Sequence, residues 1–445
     1  MFNSLNWIFS STSETKFGHN FKVKHFSTID KDVLSVNHGS YGNVPTVVFD
    51  NYIENTRREY GFPDRFMLTE QKNEYIEALE IVATKYLHCD YHNLAFVPNA
   101  TTGVNTVLRS LHFNKGDKVL FFSTIYGACY NTIKFLERSV GIIPVVIDIT
   151  AYPWEDTEIL EKFNSCISNE DPIKLALFDA VTSMPGVRLP FEDLTKICRE
   201  NGIISLIDGA HSIGLINLDL GDTAPDFFVT NLHKWLFVPR GCAVMYVDPK
   251  FHGEIQSLPV SHSYVDESIV KPDKMTLIDK FFFIGTKNFA AIATIKSAIR
   301  FREEVCGGED AIAEYCTSLS EAAIKQHQEK WPFMKFINNS NSSILVPSMV
   351  NLVIKFGDLC KHYEIANVPD IDFTNKAQAE NFHDYVDELL LKEYKARVPF
   401  MIFGNGDILI RFSCQLYNEA SDYDFATDSF VDGIKRFAKE TTKVD

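Results

Sequence analysis

The chain has 445 residues, of which 45% are hydrophobic and 23% charged, and its formal net charge is −16. This composition is typical of a globular protein with an ample core, so it excludes global disorder. The surplus of carboxylates argues against general binding to nucleic acid or to anionic membranes, because both need excess lysine and arginine. We therefore expect a small-molecule ligand.

The cysteines and the N-terminus bear on the compartment. The nine cysteines are scattered and never spaced as CxxC. This predicts neither a disulfide framework nor a zinc site and favours a reducing compartment. No apolar run is long enough to span a bilayer, and the N-terminal segment lacks the continuous apolar region of a secretory signal. We expect a cytoplasmic protein with no metal and no membrane partner.

Between about residues 86 and 248, short apolar runs alternate with amphipathic segments. The runs are continuously apolar, which is typical of strands covered on both faces of a parallel sheet. The predicted strands are residues 96–97, 118–122, 145–149, 175–178, 203–207, 227–230 and 242–247. Helices are predicted within 101–113 and 190–202, the second with Pro190 in its first turn and Gly202 at its end. Such alternation predicts an α/β fold with a mostly parallel sheet.

Beyond about residue 302 the pattern changes. Helical material leads into two apolar segments, MVNLVIKF and GDILIRFSCQLYNE, and then into an amphipathic helix at 423–440. These elements predict a smaller α+β domain at the C-terminus. We divide the chain into an N-terminal arm of residues 1–35, a large domain of residues 36–330 and a small domain of residues 331–445.

Polar loops follow the predicted strands of the large domain. Parallel sheets bind ligands at the carboxyl ends of their strands. Lys234 lies in one of these loops, and taken alone it would be interpreted as a surface lysine. Its neighbours at the same edge favour a function instead. The loops are PNATTGVN, STIYGACY, DAVTSMPG, DGAHS and TNLHK.

Asp208 ends the strand GIISLID, and alone it fits a helix cap or a turn. Together with Lys234 it fits another role. A pyridine nitrogen that a carboxylate keeps protonated becomes an electron sink, and a lysine amine can bond the same cofactor. The phosphate of such a cofactor needs donors at a helix N-terminus. Candidates for these donors are Ala100, Thr101 and Thr102.

Two further residues complete this hypothesis. Tyr126 lies in a loop from which it can pack flat on the cofactor ring. Arg411, near the end of GDILIRF, is a candidate for two-pronged binding of a substrate carboxylate. Each residue alone also fits a structural role. In this order, together they favour a pyridine cofactor that carries a phosphate and bonds a lysine, with an amino acid as substrate.

The motifs NATTGVN, IYGA, DAVTS, DGAH, TNLHKW, GTKN and RFSCQLYN, in this order, resemble the class V aminotransferases, pyridoxal-phosphate enzymes of fold type I. The opening VNHGSYGNVP, followed by PDRF, is similar to the branch of isopenicillin N epimerase and the fungal hercynylcysteine sulfoxide lyases. The resemblance runs from about residue 17 to the C-terminal helix. It implies that the large domain binds pyridoxal phosphate.

The resemblance also implies roles for single residues. Lys234 would form the Schiff base, Asp208 would pair with the pyridine nitrogen, and Tyr126 would stack on the ring. Ser183 would lie near the ring oxygen. His211 would pack beside Asp208.

The resemblance also assigns residues to the cofactor phosphate, one of them from the second subunit. Asn231 and His233 match positions where relatives hold the phosphate with Ser and His, so asparagine is a departure that keeps a hydrogen-bonding group. Thr286 matches a residue that reaches the phosphate of the other subunit, which implies a homodimer with both sites at the interface.

For the substrate, the resemblance makes Arg411 the carboxylate-binding residue. We add His38 and Ser40 as substrate-binding candidates because they lie in a polar loop. Three more polar residues fit either a site entrance or solvated loops. These are Arg65, His262 and Tyr264.

A missing cysteine and the C-terminal motif favour one reaction over the others. Cysteine desulfurases need a nucleophilic cysteine shortly before the arginine, and KEYKARVPFMIFGNGD contains none. The C-terminal motif resembles the sulfoxide lyases more than the epimerases, which need a second base. We therefore expect a carbon–sulfur lyase, with a place in ergothioneine biosynthesis if the substrate is hercynylcysteine sulfoxide. An epimerase, an aminotransferase and a non-catalytic binding protein stay open.

Overall fold

The computed structural model describes residues 17–149, 154–170, 172–262, 264, 275–365 and 371–441. Its larger sheet has seven strands. In chain order they are β1 (Leu94–Val97), β2 (Lys118–Phe122), β3 (Ile143–Ile147), β4 (Ile173–Asp179), β5 (Ile204–Asp208), β6 (Phe227–Asn231) and β7 (Ala243–Val247). Their order across the sheet is β1-β7-β6-β5-β4-β2-β3, and β7 alone runs antiparallel to its neighbours.

The predicted α/β fold with a mostly parallel sheet is confirmed, and every predicted strand of this sheet is present. Strand β3 is shifted by two residues at both ends, since it spans Ile143–Ile147 although the prediction was 145–149. Pro144 lies within it, in register with Val119 of β2. A proline is tolerated there because β3 is an edge strand, with one side free of ladder hydrogen bonds.

Helices pack on both faces of this sheet and around a second one. They are α1 (His19–His25), α2 (His38–Tyr41), α3 (Thr46–Gly61), α4 (Pro63–Arg65), α5 (Gln71–Val82), α6 (Ala100–Ser110), α7 (Gly127–Ser139), α8 (Asp156–Asn169), α9 (Phe191–Glu200), α10 (Leu220–Thr223), α11 (Leu232–Trp235), α12 (Leu277–Phe281), α13 (Ala290–Ala293), α14 (Ile295–Arg300), α15 (Glu309–Lys330), α16 (Phe356–His362), α17 (Lys376–Glu393) and α18 (Ala420–Thr441). Helix α9 begins after Pro190, so this proline precedes the first turn that the prediction gave it. No helix in the described ranges is both long and apolar enough to cross a membrane.

The second sheet is antiparallel and belongs to the C-terminal part of the chain. Its strands are β8 (Lys335–Phe336), β9 (Met349–Lys355), β10 (Phe400–Ile402) and β11 (Asp407–Ser413), in the order β10-β11-β9-β8. Together with α16, α17 and α18 they enclose a separate apolar cluster. Helix α15 contributes Ile312 and Cys316 to the large cluster and Leu319 and Ala323 to this smaller one. The three domain limits stay predictions, and residues 1–16 of the proposed arm lie outside the described residues.

The larger sheet aligns three polar side chains at its carboxyl edge. Alternate strand residues face the same side. On the side of α6 and α7, the buried apolar column includes Leu177 of β4, Leu206 of β5 and Val229 of β6. Two residues further along these strands come Asp179, Asp208 and Asn231. The alternation that builds the core therefore places two carboxyl groups and a carboxamide side by side at the carboxyl edge.

Candidate active site

Lys234 lies in the short helix α11, which follows β6 directly. Its carbonyl oxygen lies 2.7 Å from His38 Nε2. Gly42 packs against the same turn: its φ is +69°, and a Cβ there would lie 1.8 Å from the carbonyl oxygen of His233. Only glycine fits such a contact and conformation. The backbone of Lys234 is thus fixed from the side of the α2 segment.

The Lys234 amine lies 2.9 Å from His211 Nε2. The indole Nε1–H of Trp235, which can only donate, lies 3.3 Å from His211 Nδ1. Because Nδ1 therefore accepts, a neutral ring carries its proton on Nε2 and can donate it to the Lys234 amine when that amine is neutral. Burial lowers the pKa of His211 well below its usual value, which keeps the ring neutral. The arrangement suits a lysine that serves as a base.

Burial lowers the pKa of Lys234 to about 8. The nearby Asp208 carboxylate opposes this fall, and the Arg411 guanidinium adds to it. An amine with a pKa near neutrality exchanges protons readily at physiological pH, which a free lysine does not.

Asp208 is buried at the end of β5, where the sequence predicted it. Its Oδ1 accepts the Ala210 amide at 3.0 Å, and its Oδ2 accepts the Cys129 thiol at 3.3 Å. Burial raises the pKa of the Asp208 carboxyl, and the amide and the thiol hold it down. This is a buried carboxyl group with fixed orientation, and it needs a cationic partner.

Asp179 lies beside Asp208 and is missing from the predicted site. The two residues are in register on adjacent parallel strands, and both side chains are buried. Burial, and next the charge of Asp208, raise the pKa of Asp179 well above its usual value. A sequence signal existed: the runs LALFD and ISLID both end in aspartate at the same edge of the sheet.

The N-terminus of α6 faces the same edge. Its first amides lack intrahelical partners. Ala100 N donates to Asn231 Oδ1 at 2.8 Å, and Thr102 N donates to Asn99 Oδ1 at 2.8 Å. The amide of Thr101 lies between them in the turn. The Ala100 amide was predicted to hold phosphate, but in this structure Asn231 occupies it, so Asn231 positions the helix end.

Helix α6 can approach β6 this closely because residue 103 is glycine. A Cβ on Gly103 would lie 2.5 Å from Cγ1 of Val229. The close approach brings the helix N-terminus next to the loop that carries His233. The Nδ1–H of His233 donates to the Cys242 carbonyl at 2.8 Å, which leaves Nε2 for another partner. These groups together form a site suited to an anion.

Arg411 is buried in β11 and connects the two parts of the chain. Its Nη1 donates to the Ser183 carbonyl at 2.5 Å, and its Nη2 donates to Asn37 Oδ1 at 2.9 Å and to Ser40 Oγ at 3.0 Å. Its Nε is buried without a partner among the described residues. Burial lowers the pKa of Arg411 to about 10. A buried cation with an unused donor fits a bound carboxylate.

His38 requires a correction. It was predicted to contact substrate, but its side chain is only 2% exposed, and both ring nitrogens have partners. Because a carbonyl only accepts, Nε2–H donates to Lys234, and Nδ1 therefore accepts from the hydroxyl of Tyr417 at 2.9 Å. His38 thus anchors the catalytic turn from behind.

The other predicted residues lie as follows. Ser40 contacts Arg411, and Ser183 contacts it through its carbonyl oxygen. Tyr126 precedes α7 with its ring half exposed, and Thr286 is exposed in the loop before α13. Arg65, His262 and Tyr264 are on the surface rather than among the buried groups. Arg65 is paired with Glu70 there.

The residues fit pyridoxal phosphate. The unpaired Nε of Arg411, the anion site at α6 and the buried Asp208 carboxyl match a substrate carboxylate, a phosphate and a ring nitrogen in turn. Lys234 has the buried amine that the aldehyde of such a cofactor needs. The site thus defines a pyridoxal-phosphate enzyme of fold type I.

The comparisons with known proteins agree. The family model "Aminotransferase class-V" matches residues 41–362, so the chain belongs to this family, and the predicted family is confirmed. The cofactor is pyridoxal phosphate.

Two curated relatives resemble nearly the whole chain. The hercynylcysteine sulfoxide lyase of Schizosaccharomyces pombe is 29% identical over 412 residues, covering 92% of this chain and 95% of the relative. The L-cysteine desulfhydrase-like protein lolT1 of Epichloe uncinata is 29% identical over 427 residues, covering 90% and 92%. Among solved structures, the cystine C-S lyase C-DES, in complex with cysteine persulfide, has a TM-score of 0.71 at 17% identity, covering 92% of this chain and 99% of that chain. This last likeness supports the fold type.

Proposed function

We propose that the protein is a carbon–sulfur lyase that uses pyridoxal phosphate to cleave a cysteine S-conjugate or its sulfoxide by β-elimination. The observation that carries the proposal is the Lys234 amine, which lies 2.9 Å from the neutral ring of His211, together with a buried arginine that has an unused donor. The bound cofactor supplies an electron sink for the charge that develops at Cα. All other steps belong to side chains of the chain.

Arg411 would bind the substrate carboxylate and so orient Cα. It is held by Ser183, Asn37 and Ser40, so little conformational entropy is lost when it binds. Lys234 would then take the proton from Cα. His211 stays neutral and keeps the amine directed into the site between turnovers.

Elimination needs a leaving group at Cβ. As the Cα proton leaves, the Cβ–S bond breaks, and its electron pair departs with the sulfur as a sulfenate from a sulfoxide or as a thiolate from a thioether. Water converts the released enamine to pyruvate and ammonium. Atoms and electrons balance without an external oxidant or reductant.

Persulfide chemistry is disfavoured by the cysteines. The segment 392–410 before Arg411 contains none, and Cys414 after it is completely buried. Burial raises the pKa of the Cys414 thiol to about 11, which leaves little thiolate at neutral pH. A lyase needs no such nucleophile.

A cavity beside Arg411 has room for a large group on the sulfur. Its volume is about 410 Å³, and its lining includes Ser40, Ser183, Phe400 and Arg397. Cavities of this size hold ligands much larger than cysteine. Hercynylcysteine sulfoxide, the substrate in the name of one relative, is the first candidate, and it would place the protein in ergothioneine biosynthesis.

We also propose a cytoplasmic homodimer. All nine cysteines are free, as in a reducing compartment. Thr286 and several aromatic side chains of the N-terminal helices are exposed, as a subunit interface would require. The exposed aromatic residues are Tyr41, Phe49, Tyr60 and Phe62. Light scattering on the purified protein should give the mass of a dimer, and a monomer would contradict this part.

The reaction is tested by pyruvate release. The loaded protein is incubated with hercynylcysteine sulfoxide, simpler cysteine S-conjugates and cysteine, and Lys234→Ala serves as the blank. We expect release that depends on Lys234 and is fastest with a conjugate. If the protein exchanges the Cα proton with D2O but releases no pyruvate from any of them, the proposal fails in favour of epimerisation or amino-group transfer.

A further inference from the structure

The nitrogen end of the cofactor site contains a second acidic side chain with no role in the account above. We propose that Asp179 and Asp208 form a carboxyl pair that holds one shared proton in the cofactor-free protein and releases it when the cofactor's ring nitrogen binds. Asp179 is thus a positioning residue that acts through Asp208.

The geometry follows from the strand register. Asp179 of β4 and Asp208 of β5 are paired on neighbouring parallel strands, which lie about 4.8 Å apart. In-register residues of such strands point to the same face. Both side chains are at most 4% exposed. The two carboxyl groups therefore face each other across one strand spacing in a place without bulk water.

Two buried carboxylates at this distance do not both ionise unless a cation joins them. Asp208 Oδ1 and Oδ2 already accept an amide and a thiol, which favour the ionised form of Asp208. Asp179 is then the better place for the proton. Consistent with this, burial, and next the charge of Asp208, raise the pKa of Asp179.

Two titratable groups, from α7 and α11, act on the pair. Cys129 of α7 donates its thiol to Asp208, and burial raises the pKa of that thiol well above its usual value, so it stays neutral. Among the described residues, Lys234 of α11 is the cation whose charge acts on both carboxyls. Its single positive charge can balance only one of the two carboxylates.

A protonated pyridine nitrogen would bring the missing positive charge. With that charge beside Asp208, the pair can lose its proton to solvent, and the second carboxylate strengthens the hold of the first on the nitrogen's proton. Cofactor binding is then linked to the release of one proton. Without Asp179, Asp208 is already ionised in the cofactor-free protein and has no proton to release when the cofactor binds.

The test compares wild type with Asp179→Asn, which has the size of a protonated aspartate but cannot ionise. Cofactor dissociation constants are measured by equilibrium dialysis of pyridoxal phosphate between pH 6.5 and 8.5. We expect the ratio of the variant's constant to that of the wild type to rise with pH, by up to tenfold per unit. In a second series both proteins carry Lys234→Ala, so that protonation of Lys234, whose pKa Asp179 raises, does not enter the ratio. A ratio independent of pH would overturn the proposal.

A matched control is Asp226→Asn. Asp226 is also a buried aspartate next to this sheet, but it accepts from Ser205 and pairs with Lys250, away from the carboxyl edge. The ratio of the cofactor dissociation constant of Asp226→Asn to that of the wild type should not change with pH. If Asp179→Asn does not fold, Asp179→Ser should give the same rising ratio, and a flat one would count equally against the pair.

A second readout needs no cofactor. The raised pKa of the pair means that the unfolded chain loses protons at lower pH than the folded one, so stability falls as pH rises through this window. The melting temperature of cofactor-free Asp179→Asn, relative to that of the wild type, should therefore increase as the pH rises from 5.5 to 8. An equal gain at all pH values would indicate packing alone and refute the shared proton. Failure of the wild type to bind pyridoxal phosphate would instead refute the cofactor assignment.

Discussion

The anchoring of Lys234 by His38 leads to a prediction about acid stability. Burial lowers the pKa of His38 from 6.5 to about 4. Between these values the unfolded chain binds a proton at this histidine and the folded protein does not, so stability falls as the pH falls. From pH 7.5 to pH 5 the loss of stability is about 2 kcal/mol, because about 1.5 pH units of this interval lie below the pKa of the unfolded histidine.

The perturbation that isolates this loss is His38→Gln. A glutamine amide can donate to the Lys234 carbonyl and accept from the hydroxyl of Tyr417, as the neutral histidine does. It does not titrate. We therefore expect the variant to keep most of the stability at pH 7.5 and to lose about 2 kcal/mol less than the wild type on going to pH 5.

The assay is urea unfolding of the cofactor-free protein at both pH values and at one protein concentration. His362→Gln is the control, because His362 is exposed on α16 and should leave the pH dependence unchanged. If wild type and His38→Gln lose the same free energy between pH 7.5 and 5, the inference that His38 is held neutral behind Lys234 is wrong.

Three further substitutions test other parts of the site. In Arg411→Lys the side chain cannot keep the guanidinium contacts to Ser183, Asn37 and Ser40. The KM for the amino acid should therefore rise roughly 100-fold, while cofactor affinity stays within about twofold. An unchanged KM in a steady-state assay would contradict carboxylate binding by Arg411. Gly103→Ala should lower the free energy of unfolding in urea by about 1–3 kcal/mol, because the new methyl group would collide with Val229. Adding Val229→Ala to this variant should restore part of the lost stability. If the effects of the two substitutions simply add, the contact is refuted. Arg302→Met removes the donors to the Trp235 and Gly214 carbonyls and the pair with Glu309, so it should destabilise by about 3 kcal/mol and lower cofactor affinity; unchanged stability would show that the buried arginine is dispensable.

The strands, and the positions of Asp208 and Lys234 at the carboxyl edge of the sheet, could be predicted because their signals are local. A continuously apolar run that ends in a polar loop identifies a parallel strand and its carboxyl edge. Asp208 ends one such run, and Lys234 lies three residues after the end of another. Their chemistry then depends on residue type and order, which the sequence displays.

The contacts between distant segments could not be predicted in this way. His38 accepts from Tyr417 across 379 positions, and Arg411 donates to Asn37 across 374. Neither pairing leaves a periodic signal, because each depends on how α2 packs against the second sheet. A histidine in a polar loop therefore suggested substrate contact, although the fold buries it.

Asp179 is a different case, since its signal was present. It ends β4 as Asp208 ends β5, and only the register makes them neighbours. A sequence gives the length of a strand with an uncertainty of a residue or two, and a shift of one residue would turn the side chain to the other face. The pair could thus be identified only from the structure.

The central claim is that Lys234 bonds the cofactor and serves as the base. The most direct test is to load the protein with pyridoxal phosphate, reduce the lysine–cofactor bond with borohydride, digest the protein and locate the added mass by mass spectrometry. We predict the mass on the peptide that contains Lys234 and none in Lys234→Ala. Labelling of a different lysine, at full occupancy in both proteins, would contradict the account.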